Sequence, residues 1–113
     1  VYRGLIFNPL GLKNTYLPEN EEDFIPAIYY KDIVLNVPKM ILSIRASGGC
    51  ISNAHELMVF IKAFFNGQLF NDAGYMRIPL DGFATFFMGK GELIGHSGST
   101  GSFAFYYPEK DMF

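Results

Sequence analysis

Apolar and polar positions along this chain change their spacing in a way that separates helical from strand-like stretches. From Ser52 to Asn66, the residues Ala54, Leu57, Met58, Ile61, Phe64 and Phe65 recur at intervals of three and four, which predicts one amphipathic helix. Asn53 followed three residues later by Glu56 has the form of a capping box, and Asn66-Gly67 supplies a left-handed stop. The apolar face of this helix is wide enough to require a covering layer. After Asn71-Asp72-Ala73-Gly74 the period shortens to that of strands. Phe83 to Met88, Glu92 to Ser97 and Ser102 to Tyr107 read as an antiparallel meander, with turns at Gly89-Lys90-Gly91 and Pro108-Glu109-Lys110-Asp111 and a fourth strand opening at Met112-Phe113. The fold class expected is α+β, an antiparallel sheet packed on helices.

The first half of the chain is less regular. Val1 to Phe7 predicts the last turns of a helix stopped at Asn8-Pro9, because proline disfavours helical geometry in the residue before it, and Leu10-Gly11-Leu12 then turns. Glu19, Glu21, Glu22 and Asp23 lie between Pro18 and Pro26 and read as a solvated loop. Ala27 to Val37 is β-prone, with Tyr29, Tyr30, Ile33, Val34 and Leu35, yet lacks clean alternation and is expected to be extended and irregular.

Composition narrows the partners. Half of the 113 residues are hydrophobic and the net charge is −2, so disorder is excluded. A folded chain of this size buries roughly two-thirds of its unfolded surface, enough for one core. Nine Lys and Arg against eleven Asp and Glu, without a basic run, argue against nucleic acid, which needs clustered cations. No apolar stretch approaches the roughly 20 residues of a membrane span, and the start has no secretory-signal pattern. Cys50, the single cysteine, reads as a small buried thiol because no cation adjoins it.

Candidate chemistry concentrates in Gly95-His96-Ser97-Gly98-Ser99-Thr100-Gly101. A phosphate loop is disfavoured because no lysine and no helix follow. A nucleophile elbow, Gly-x-Ser-x-Gly, is not matched in either available register. Metal binding is disfavoured because His55, His96 and Cys50 form no close pair, and nothing implies a cofactor. Two readings remain on these residues alone: a bulged strand end with a glycine-rich turn, or a strand edge whose histidine, hydroxyl and glycines let a ligand approach backbone amides.

Three ordered segments resemble the serine β-lactamase-like superfamily, in the branch of class C β-lactamases, D-alanyl-D-alanine carboxypeptidases, D-amino-acid peptidases and related esterases. They are Ile6 to Tyr16 (IFNPLGLKNTY), Ala46 to Leu57 (ASGGCISNAHEL), and Gly91 to Gly101 (GELIGHSGSTG) with Tyr107-Pro108-Glu109-Lys110-Asp111. The third resembles the family's third catalytic motif in its histidine version, His-x-Gly, as His96-Ser97-Gly98. The resemblance implies a partial β-lactamase/transpeptidase-like fold and a set of roles. His96 would place a donor beside the nucleophile, the Ser97 hydroxyl would bond a substrate carboxylate or carbonyl, Gly98 would leave room for the acyl group, and the Ser99 backbone N–H would serve the oxyanion hole.

The family's nucleophile is the serine of Ser-x-x-Lys, and no serine of this chain has a lysine three residues on; Tyr-x-Asn, the second motif, is also absent. The resemblance therefore implies that residues 1–113 are a single partial domain, the C-terminal portion of a catalytic domain whose nucleophile region lies upstream and whose final strands and helix lie downstream. The function implied is hydrolysis of an amide or ester, in a β-lactam, D-amino-acid peptide or ester, through an acyl-serine intermediate, with this chain inactive alone. The alternative is a non-catalytic peptide- or cell-wall-binding module of the same fold. Partners expected are a small-molecule or peptide substrate and a second copy, as homodimer or domain swap, through exposed strand edges; the location implied is extracytoplasmic, periplasmic or secreted.

Overall fold

The computed structural model describes residues 1–72, 84–88 and 91–113. They form helices and small antiparallel sheets, an α+β chain divided into two compact units, Val1–Asn53 and Ala54–Phe113.

The first unit opens with a π-helical turn, Arg3–Phe7, in which the Asn8 N–H reaches back to the Arg3 carbonyl. The helix ends where Pro9 requires, but Asn8 itself keeps helical dihedrals, contrary to the expectation for a residue before proline. The wider π register carries the chain past Pro9, which has no N–H to donate, and Leu12 N–H closes on the Phe7 carbonyl at 2.8 Å. Phe7 and Leu12 are buried by this closure, and Thr15 is buried beside them in sequence. The acidic segment is a loop as expected, with the Glu19 and Asn20 N–H groups both donating to Asp23 Oδ2.

Ala27 to Val37 departs from expectation. It contains a hairpin, β1 (Ile28–Tyr30) and β2 (Ile33–Leu35), registered Ile28↔Leu35 to Tyr30↔Ile33. Its two-residue turn places Lys31 at φ 54, a position that glycine normally fills in a type II′ turn. The missing alternation has a physical cause: neither face is buried, and Tyr29, Tyr30, Ile33 and Val34 are each about 60 % exposed. A helix follows, α1 (Pro38–Ile44), with proline at its first turn and Ile41 buried. Gly49 then folds back onto it, its N–H on the Arg45 carbonyl. The unit closes by an isolated bridge in which Tyr16 and Ile51 exchange both backbone hydrogen bonds, at 3.0 and 2.8 Å, and the Thr15 and Ser52 hydroxyls lie 2.8 Å apart.

The second unit begins with α2 (Ala54–Phe65), the helix that periodicity predicts, shortened by two residues at its start and one at its end. It stops in a Schellman motif: Gly67 lies at φ 71, its N–H bonds the Phe64 carbonyl, and Gln68 N–H bonds the Ala63 carbonyl. Three strands follow, β3 (Ala84–Met88), β4 (Gly91–Ser97) and β5 (Phe103–Tyr106), antiparallel in the order β3-β4-β5. The expected meander is thus present, while the readings at 73–83 and 89–90 lie outside the described residues. Helix α2 lies against β5, with the Phe65 and Tyr106 rings 4.7 Å apart. Phe113 stacks on Tyr106 at 4.5 Å and lies beneath the Lys62 ammonium. At Met112, where a fourth strand is expected to open, the structure has an isolated antiparallel bridge to Tyr107 after the 3₁₀ turn Pro108–Lys110. A hydrogen bond from the Tyr107 hydroxyl to Glu109 Oε2 at 2.8 Å fixes this turn and holds the phenol above its usual pKa.

A Cβ on Gly49 would lie 2.6 Å from the Ile41 carbonyl oxygen and 2.8 Å from that of Arg45, both backbone atoms that cannot swing aside. Gly49→Ala is expected to cost about 1–3 kcal/mol, seen as a lower urea midpoint at unchanged slope. An unchanged midpoint would show that the end of α1 yields to a side chain.

Candidate functional site

The glycine-rich segment marks the end of β4. Register places Gly95 opposite Phe105, His96 opposite Ala104 and Ser97 opposite Phe103. Beyond Ser97 the chain leaves the ladder, Gly98 N–H bonds the Ser102 carbonyl at 2.7 Å, and Gly101 N–H bonds the Gly98 carbonyl at 3.1 Å. Ser99 and Thr100 are therefore the two central residues of a β-turn, whose own hydrogen bond does not use their N–H groups. Among the described residues the Ser99 N–H makes no backbone hydrogen bond, and Ser99 is exposed.

Gly95 and Gly98 differ in what requires them. A Cβ at Gly95 would fall on the Ala104 carbonyl oxygen and lie 2.6 Å from Phe105 Cδ1, so the close pairing of β4 with β5 demands glycine there. At Gly98 the nearest atom is the Ser102 hydroxyl oxygen, at 2.5 Å, the end of a side chain that can rotate away. Packing thus explains Gly95 fully and Gly98 only in part.

Successive residues of a strand leave opposite faces of the sheet. His96 shares its face with Ile94, Ala104 and Tyr106, the face against which Phe65 of α2 lies. Ser97 shares the other face with Leu93, Gly95, Phe103 and Phe105. The structure therefore brings His96, Ser97, Gly98 and Ser99 to one strand end but directs the imidazole and the Ser97 hydroxyl apart. One ligand can meet both only by lying along the end of the strand, next to the backbone. Among the described residues the ladder with β3 reaches Gly95, and the ladder with β5 continues to Ser97. Residues 96 and 97 are held from the β5 side.

Cys50 is solvent-exposed rather than buried as expected, although Gly49 before it packs against the backbone at the end of α1. Partial desolvation of its thiol raises the pKa, which lowers the thiolate fraction and argues against a nucleophile there. No group of three or more His, Cys, Asp or Glu among the described residues is placed to hold a metal. A shallow cavity of about 280 Å³ at the base of the β1–β2 hairpin, lined by residues such as Pro26, Val34, Leu35 and Val37, contains no titratable side chain. No described helix is long and apolar enough to cross a membrane.

Sequence reading missed Phe103 and Phe105 as neighbours of the motif. Their spacing of two in the strand after the turn was the available signal; only the register shows which motif residues they face. In comparisons with known proteins, no family model, curated protein or solved structure matches this chain.

Gly95→Ala is expected to cost about 1–3 kcal/mol and to raise amide exchange along β4 and β5. Gly98→Ala should change stability by less than about 0.5 kcal/mol. Equal losses at both positions would mean that folding, not access, accounts for Gly98.

Proposed function

We propose that this chain is the C-terminal part of a β-lactamase-like catalytic domain and supplies the His96-Ser97-Gly98 edge of an acyl-serine hydrolase. The observation that carries the reading is the placement of the motif: it ends a strand whose last residues pair with β5, and it runs directly into a turn that presents the Ser99 N–H. The bridge that joins Tyr16 to Ile51 adds support, because it brings together the first two of the three segments that carry the resemblance. The exposure of large apolar side chains supports a partial domain: Tyr29, Ile33 and Phe103 are 63–71 % exposed.

In this reading a serine outside the 113 residues loses its proton to a base and attacks the carbonyl carbon of a β-lactam, a D-amino-acid peptide or an ester. The carbonyl oxygen becomes an oxyanion beside the Ser99 N–H, an interaction of the kind typically worth roughly 2.7–4 kcal/mol in the transition state. The leaving nitrogen or oxygen then takes a proton, and water later releases the acyl group. His96 contributes a hydrogen-bond donor on one face of the strand, and Ser97 binds the substrate from the other. Gly98 keeps the strand end open to the acyl group.

The second reading, a non-catalytic peptide- or cell-wall-binding module, uses the same edge without a nucleophile. Self-association belongs to either reading, since the β1–β2 hairpin is apolar and exposed on both faces. An extracytoplasmic location accompanies both.

Intact-mass analysis after incubation with labelled penicillin or a p-nitrophenyl ester should show no adduct and no turnover by these 113 residues. A stoichiometric adduct would overturn the placement of the nucleophile elsewhere. Sequencing of the coding region ahead of Val1 should show Ser-x-x-Lys followed by Tyr-x-Asn; a region without them would select the binding module.

A further inference from the structure

The sheet face that carries Ser97 has the chemistry of a lipophilic binding surface. Ser97 and Phe103 are directly paired, so their side chains leave the same face with Cβ atoms about 4.5–5.5 Å apart. Phe103 is 71 % exposed, and its ring lies 6.4 Å from that of Phe105, which covers Gly95. Leu93 lies on this face as well, two residues before Gly95. None of the described side chains on this face is charged, and the imidazole of His96 leaves the opposite one.

A carboxylate set beside Ser97 would meet one hydroxyl and two aromatic rings whose faces carry partial negative charge. It would give up hydration without gaining a cation. A neutral acyl group in the same position gives up little hydration, gains contact with Phe103 and Phe105, and leaves its carbonyl oxygen to accept from the Ser97 hydroxyl or the Ser99 N–H.

We propose that Phe103 and Phe105 form the acyl-group shelf of the His96-Ser97-Gly98 edge, and that the substrate is a neutral carboxylic ester with an apolar acyl group. This assignment rests on the hydrolase reading and selects among its three substrate classes. Phe103 is the specificity-determining residue, because it is the exposed ring nearest Ser97 in the register.

The test uses two probes with one acyl group, methyl phenylacetate and the phenylacetate anion, titrated into the ¹⁵N-labelled 113-residue chain. The ester should shift the amides of Ser97, Gly98, Ser99 and Phe103 and bind at least about tenfold more tightly than the anion. Phe103→Ala should lose about tenfold for the ester, and Phe103→Leu, which keeps apolar area, should lose much less. With so exposed a side chain, both variants should retain the amide dispersion of the parent chain. Equal or tighter binding of the anion at the same amides, or indifference of the ester to Phe103→Ala, would overturn the ester assignment and leave the strand edge as a binding site. Failure of both probes to shift residues 96–99 would overturn the assignment together with the use of this edge by a hydrolase.

Discussion

At Gly95 the backbone of β5 comes so close to β4 that the Ala104 carbonyl and the Phe105 ring occupy the volume a side chain would need. That approach sets the register of the strand pair. A slip of one residue would move His96 and Ser97 each to the other face, because side chains alternate with a period of two, and it would bring a side chain into the same space. The positions of His96 opposite Ala104 and Ser97 opposite Phe103 follow from this single contact. So does the turn at Gly98 to Ser102, since the ladder must end where Ser97 and Phe103 end it.

The first unit is organised by a different constraint. Tyr16 and Ile51 satisfy each other's backbone groups over a long sequence separation, and the Thr15 and Ser52 hydroxyls continue the contact. Buried polar groups need partners, so this exchange allows Thr15 to be buried. The same unit leaves the hairpin uncovered: its tyrosines and branched side chains face solvent at both faces. Isolated two-stranded hairpins are marginal in water, and this one carries apolar residues that a covering surface would bury.

Much of the α+β pattern was legible in the sequence because it rests on periodicity. The face of α2 repeats at helical spacing and ends at Asn66-Gly67, and the strands after Phe83 alternate on a two-residue period interrupted by glycine. The hairpin at 28–35 was not legible, since with no buried face its residues have no reason to alternate, and its turn uses Lys31-Asp32 where a glycine signal would be expected. Helix α1 was missed for lack of length, with only seven residues to show a period. Cys50 was misplaced because local composition does not reveal which residue of Gly49-Cys50 is buried: the glycine packs against the end of α1 and the cysteine is exposed. For the candidate site, residue types and order were readable at Gly95 to Gly101, but that Phe103 and Phe105 lie beside Ser97 and Gly95 shows only in the cross-strand register, which is a property of paired segments and not of either alone.

The divergence of His96 and Ser97 bears on why this motif stands at a strand end. In the middle of a ladder, two adjacent side chains serve opposite faces, and a ligand bound to one is screened from the other by paired backbone. At the end of β4 the ladder with β5 stops at Ser97, and the next residue has no side chain. In the proposed use of this edge, a ligand lying along that end would meet a donor from one face, a hydroxyl from the other and the Ser99 N–H in the turn. The two glycines of this strand end therefore differ in kind: at Gly95 fixed backbone excludes a side chain, whereas at Gly98 the only close contact is a hydroxyl that can rotate away.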